Sequence, residues 1–227
     1  MNLENGYQEK ILVFFDILGF KDLVTKKYKD DPEKIEEILS TMHILSTTSY
    51  PSELIIFSDS VINILEVNPY LKEHGKNFSQ YLNVILSDIA TIQMNMLLLY
   101  GVLIRGSIVI GNIKHKNEMN LLFGPALIDA YELESKHSIY PRFILDEKII
   151  ELIKNDTEWM YVSQDLDGHY YVDSFNKWLV EFEKKEKLDI KEKIENEINN
   201  LGKNPNLGVL SKYRWLLNKI IKRDNII

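Results

Sequence analysis

The chain has 227 residues, 45% of them hydrophobic, and a formal net charge of −7. That length supports one good core with room for an appendage, and an acidic chain lacks the clustered Lys and Arg that general nucleic-acid binding needs. It has no cysteine, which excludes disulfides, thiolate metal sites and a cysteine nucleophile, and fits a reducing compartment.

The segment MNLENGYQEK carries no apolar signal-peptide core. Ile11–Phe15 is a continuous apolar run, ended by Asp16 and Gly19, and reads as a buried strand. Residues 18–29 and 32–49 read as helices, the second with Asp31 as N-cap and Pro32 at the first helical position. Glu53–Phe57 and Val61–Glu66 are short strands meeting at Ser58-Asp59-Ser60, a tight hairpin. The longest apolar stretch, Tyr81 to Ile104, carries Asn83, Asp88, Gln93 and Asn95, so it reads as a buried helix followed by a strand and not as a membrane span. A soluble, cytoplasmic protein without membrane or nucleic-acid partners is expected.

Val102–Ile110 and Leu121–Phe123 read as strands, Pro125 to Lys136 as a helix, Phe143–Leu145 as a strand and Glu147–Lys154 as a helix. Trp159–Val162 and Tyr170–Val172 make a last strand pair. From Ser174 the chain turns charged and helical, with Ile190, Ile194, Ile198 and Leu201 at helical spacing; after Asn204-Pro205-Asn206 a final helix runs from about Leu207 to Lys222. The expected organisation is one α/β (α+β) sandwich of the ferredoxin-like kind over 1–173, with a helical C-terminal extension, 174–227, packed on it.

A right-handed crossover makes the first strand parallel to the strand 53–57, so both end at the same edge of the sheet. Asp16 ends one and Asp59 sits in the turn after the other. Alone, Asp16 is explained as a helix N-cap and Asp59 as turn chemistry. Together at one edge they repel unless a cation lies between them. Hard divalent ions such as Mg²⁺ or Mn²⁺ suit such oxygen ligands and leave positions open for phosphate, and a pair of them clamps an in-line displacement at phosphorus.

Phe15-Asp16-Ile17-Leu18-Gly19-Phe20 resembles the first metal motif of class III adenylate and guanylate cyclases. Phe57-Ser58-Asp59-Ser60 resembles their second metal hairpin, with Ser58 where glycine is usual. Leu103-Ile104-Arg105-Gly106, followed by Gly111, is similar to their Arg-x-Gly strand. Phe123-Gly124-Pro125-Ala126, running into Ala130-Tyr131-Glu132-Leu133-Glu134, is similar to their transition-state helix. The resemblance covers about residues 11–145 and implies the class III nucleotidyl cyclase catalytic fold. It implies metal ligation by Asp16, the Ile17 carbonyl and Asp59, with two Mn²⁺ or Mg²⁺ ions per site, and a triphosphate contact at Arg105. Asp16, Asp59 and Arg105 are the candidate catalytic residues, and Phe15, Ile17, Tyr50 and Arg105 the candidate substrate contacts. Arg105 pairing with a core carboxylate, and Tyr50 merely packing, are the plainer alternatives.

The departures carry information too. The adenine-reading Lys and Asp of ordinary adenylate cyclases fall on Ile55 and Leu121, and the transition-state Asn and Arg on Ile128 and Glu132. Arg142 either replaces that Arg or, the favoured reading, holds Glu132 or Glu134 in an ion pair. The remaining pattern is similar to the pyrimidine nucleotide cyclases of the Pycsar anti-phage systems. That implies a homodimer acting on a nucleoside triphosphate, UTP ahead of CTP, and a separate effector protein that binds the cyclic product. A purine cyclase with an unusual base pocket and a catalytically inactive binding protein are the competing readings. No GxxxxGK[ST] or GxGxxG loop is present.

Overall fold

Residues Gln8–Ile17 form β1. Ile11, Val13, Phe15 and Ile17 enter the core on one face of the sheet, and Leu12 enters a second cluster on the other. Coverage of both faces explains why the sequence shows a continuous apolar run there and no alternation. The computed structural model describes residues 6–67, 78–119, 121–155, 161–175 and 184–224.

The order after β1 is α1 (Phe20–Asp22), α2 (Pro32–Leu45), β2 (Ser52–Phe57), β3 (Ser60–Glu66), α3 (Phe78–Tyr100) and β4 (Ile104–Lys116). β5 (Leu121–Phe123), α4 (Pro125–Glu132), β6 (Phe143–Leu145), α5 (Glu147–Ile153), β7 (Val162–Gln164) and β8 (Tyr170–Val172) follow, and then α6 (Lys184–Asn200) and α7 (Leu207–Asp224). The sheet order is β2-β3-β1-β4-β6-β8-β7, with β5 paired to β4. β1 is antiparallel to β3 and β4, and β2 is antiparallel to β3. β1 and β2 therefore run the same way, and the first four strands have the βαββαβ arrangement expected of a ferredoxin-like sandwich.

α2 and α3 cover one face. Asp31 caps α2 by accepting from the Lys34 amide at 3.1 Å, with Pro32 behind it. Ile38 and Met42 of α2 and Tyr81, Leu82, Ile85, Leu86 and Ile89 of α3 are buried against the sheet. By length and apolarity alone α3 could cross a membrane, but half of its most apolar window is buried inside the protein. The other face carries only α4 among the described helices, through Ala126 and Ala130. α6 and α7 contribute Ile190, Ile194, Tyr213, Leu216 and Ile220 to a further cluster with Met94 and Leu97 of α3 and with Leu103.

Some boundaries differ from expectation. In place of a helix over 18–29 there is the three-residue α1 and a π-helical turn, Leu23–Lys27. The chain cannot be helical earlier, because the Leu18 amide is still tied to the Leu103 carbonyl at 2.8 Å and Gly19 takes φ 78°. β4 runs on to Lys116 because it pairs with β1 as far back as Gln8 and then with β5. Of the strand expected at Trp159–Val162, residues 159–160 lie outside those described, and the observed strand is Val162–Gln164.

Ser58 adopts φ 57° at the β2–β3 turn, a left-handed backbone that costs a non-glycine residue about 1–2 kcal/mol. Glycine removes that cost and loses roughly 0.5–1 kcal/mol of chain entropy in return. Ser58→Gly is therefore expected to raise stability by up to about 1 kcal/mol, read as a higher midpoint in urea with an unchanged slope.

A candidate active site at one edge of the sheet

Asp16 lies directly opposite Arg105 in the β1–β4 ladder. Nε of Arg105 donates to Asp16 Oδ1 at 3.0 Å and Nη2 to Oδ2 at 3.3 Å, so the guanidinium forks the carboxylate. Nη1 donates to the Ser138 carbonyl at 3.3 Å, and Nη2 lies 2.6 Å from Oε1 of Glu134. Next to Arg105, a Cβ on Gly106 would sit 2.5 Å from the Phe14 carbonyl and 2.6 Å from the Phe143 ring. Only glycine admits β1, β4 and β6 at that spacing.

Asp59 reaches the same edge from the β2–β3 turn. The register that pairs Phe15 with Val61 brings the end of β1 alongside this turn. Burial pushes the Asp59 carboxyl up from the usual range, and the charge of Asp16 pushes it further. The mutual repulsion expected of the pair is thus present, and a cation between them would relieve it. Two carboxylates with the neighbouring Ile17 carbonyl fit a hard divalent ion that takes its other ligands from water and phosphate. Among the described residues there is no cluster of three or more His, Asp or Glu side chains of the kind that would bind metal without such help.

Glu134 is the residue that motif reasoning passed over as part of the site. It follows α4, in the π-helical turn Leu133–His137, and is 2% exposed. Burial, then the charge of Asp16, push its carboxyl up to about 7, with Arg105 pulling the other way. The Arg105 guanidinium therefore lies between two acidic side chains, Asp16 and Glu134, with Asp59 beside Asp16 at the same edge. Proximity to Arg105 in the fold is the signal that finds Glu134, since its spacing in sequence gives none.

Other expected contacts fall elsewhere. Phe15 is 1% exposed and its ring packs on Phe143 at 5.4 Å between centroids, so only its main chain is available at the edge. Ile17 is buried in the same core and likewise offers its carbonyl alone. Tyr50 packs on Tyr81 at 4.6 Å, before the start of β2, at the end of that strand opposite Asp59; the structure does not bring it to the carboxylates. Arg142 pairs with Asp165 and Asp167, not with Glu132 or Glu134. Glu132 is held by Lys136 at 3.1 Å and Glu134 by Arg105. Ile55 is half-buried beside Ile62 on the α4 face, and Leu121 is 40% exposed.

The chain is similar in structure to the adenylyl cyclase CyaB from P. aeruginosa, with 17% identity and a TM-score of 0.53 over 73% of this chain and 95% of that one. It is similar to the monomeric guanylyl cyclase domain of the RhoGC fusion protein from the aquatic fungus Blastocladiella emersonii, with 17% identity and a TM-score of 0.54 over 74% and 98%. A dimeric structure of that fungal domain matches with 13% identity and a TM-score of 0.50 over 74% and 97%. No family model and no curated protein sequence matches the chain. The expected fold is the observed one, the cyclase catalytic fold with a helical C-terminal appendage.

Proposed function

We propose that the protein is a nucleotidyl cyclase that converts a pyrimidine nucleoside triphosphate, UTP ahead of CTP, into the 3′,5′-cyclic monophosphate and pyrophosphate. The observation that carries this reading is the meeting of Asp16 and Asp59 at one sheet edge, with Arg105 forked on Asp16. Bound there, divalent metal would neutralise phosphate charge and acidify the 3′-hydroxyl. Asp16, Asp59 and the Ile17 carbonyl are the groups that would hold it. Arg105, turned from Asp16 towards an incoming triphosphate, would orient the tail and offset charge on the leaving pyrophosphate. Glu134 keeps a partner on the guanidinium throughout that exchange.

The pyrimidine assignment is supported by Ile55 and Leu121, which are apolar where the resembling adenylate cyclases hydrogen-bond adenine. The catalytic unit is residues 1–173, with 174–227 as its extension, and it works in the cytoplasm as a homodimer. Support for the dimer is the thinly covered α4 face. There Phe57 is 82% exposed, and Ile128 and Tyr131 of α4 are 62% and 59% exposed. A second copy is the natural cover for such a face. The resemblance to the Pycsar cyclases adds the setting, a second messenger for a separate effector in bacterial anti-phage defence.

Incubation with each of four ribonucleoside triphosphates and Mn²⁺, with chromatography of the products and sedimentation of the same preparation, tests the reading. Cyclic UMP or cyclic CMP from a dimer is the expected result. Faster conversion of ATP or GTP overturns the base assignment alone, and no cyclic product from any triphosphate overturns the enzyme.

A further inference from the structure

Lys212, Trp215 and Lys219 recur on α7 at spacings of three and four and share one stripe of the helix. Trp215 Nε1 and Lys219 Nζ both donate to Asp165 at 2.8 Å, and the Trp215 ring stacks on Tyr140 at 5.5 Å. That stripe therefore lies along the segment containing Ser138 and Tyr140, whose Ser138 carbonyl accepts from Arg105. The neighbouring stripe, Tyr213, Leu216 and Ile220, seals against Met94, Leu97 and Leu103. Tyr213 Oη donates to the Gly101 carbonyl at 3.2 Å, just ahead of β4, and the Leu103 carbonyl holds the Leu18 amide, two residues past Asp16. The first turns of α7 are thus fixed beside the strand ends that carry Arg105 and Asp16.

Lys212 sits on those turns. It is half-buried, and burial and the charge of Arg105 disfavour its ammonium while Asp16 favours it. Among the described residues its ammonium makes no ion pair and no hydrogen bond. An ammonium partly withdrawn from water, beside a second cation and without its own carboxylate, is unfavourable until an anion arrives. We infer that the Lys212 ammonium is a second cationic contact for the substrate's polyphosphate, so that the C-terminal extension supplies part of the site. This rests on the cyclase reading and names a contact from outside residues 1–173.

The test uses the full chain as wild type, Lys212→Met and Lys212→Arg. Each is titrated calorimetrically with tripolyphosphate and Mg²⁺, titrated with uridine, and assayed on the preferred triphosphate. Lys212→Met is expected to weaken tripolyphosphate binding and raise KM by about 10–100-fold, the range of a charged hydrogen bond, with uridine affinity and melting temperature unchanged. Lys212→Arg should recover most of the loss. Tripolyphosphate affinity within twofold of wild type in Lys212→Met overturns the inference. So does a loss that Arg does not rescue and that accompanies a lower melting temperature. If wild type cyclises no triphosphate, the cyclase reading itself fails. If it cyclises one while Lys212→Met keeps its KM, only the role of Lys212 falls.

Discussion

Asp59→Asn is expected to cut the proposed cyclisation by about a thousandfold or more in kcat, the several kcal/mol that a metal-ligand set contributes to a phosphoryl transition state, and to leave the protein folded. The second half follows from the electrostatics of the turn. Burial and the charge of Asp16 both oppose ionisation of Asp59 in the folded chain. Such a group favours the folded state less as pH rises and the carboxyl ionises. A neutral amide of the same shape relieves that opposition, so Asp59→Asn should melt at or above the wild-type temperature. Asp16→Ala should be as inactive but is a less clean probe. It strips the fork from Arg105, which keeps the Ser138 carbonyl and Glu134. The measurement pairs initial rates of cyclic product formation with thermal denaturation of the same samples. A folded Asp59→Asn protein with near wild-type turnover removes the two-carboxylate mechanism.

The meeting of Asp16 and Asp59 at one edge was legible in the sequence because it is built from local signals joined by one rule of chirality. ILVFF ends at Asp16, the hairpin turns at Asp59, and the handedness of the crossover puts both ends together. Arg105 was legible as a strand residue near the site. Its resting partners were not, because the ladder opposes residues 89 apart in sequence. Glu134 was hidden for a different reason. It lies in a π-helical turn, where the helical period that assigns faces no longer holds. Lys212 was hidden in the final helix, whose bounds were legible in the sequence but not the face turned inward. Only the packing of Tyr213, Leu216 and Ile220 shows which edge of that helix turns inward. Tyr50, weighed in the sequence as a contact for the base or as a packing residue, precedes β2 at the end away from Asp59 and packs on Tyr81.

Arg142→Met is expected to lower stability by about 3–5 kcal/mol, the usual cost of removing one partner from a buried ion pair. In a chain of this length that is roughly 10 °C of melting temperature. The guanidinium is 1% exposed. It donates to Asp165 Oδ2 at 2.7 Å, to both oxygens of Asp167, and to the His137 carbonyl at 3.3 Å. It also lies over the rings of Tyr140 and Tyr171 at 5.6 and 5.9 Å. Asp165 is the hub, since it also accepts from Trp215 and Lys219 of α7. These partners hold the Asp165 and Asp167 carboxyls below the ordinary range, although burial opposes it. Loss of Arg142 therefore leaves Asp165 with Lys219 and Trp215 alone, frees Asp167, and loosens the anchor of α7 in one step. Lys219→Met should cost less, because Lys219 is more exposed than Arg142 and pairs with Asp165 alone, where Arg142 holds both Asp165 and Asp167. The same variant separates the two roles that the sequence left open for Arg142. As a structural bolt, its loss lowers the melting temperature while kcat, measured well below the transition, stays within a few-fold of wild type. As the transition-state arginine missing from position 132, its loss would cut kcat about a thousandfold at an unchanged melting temperature.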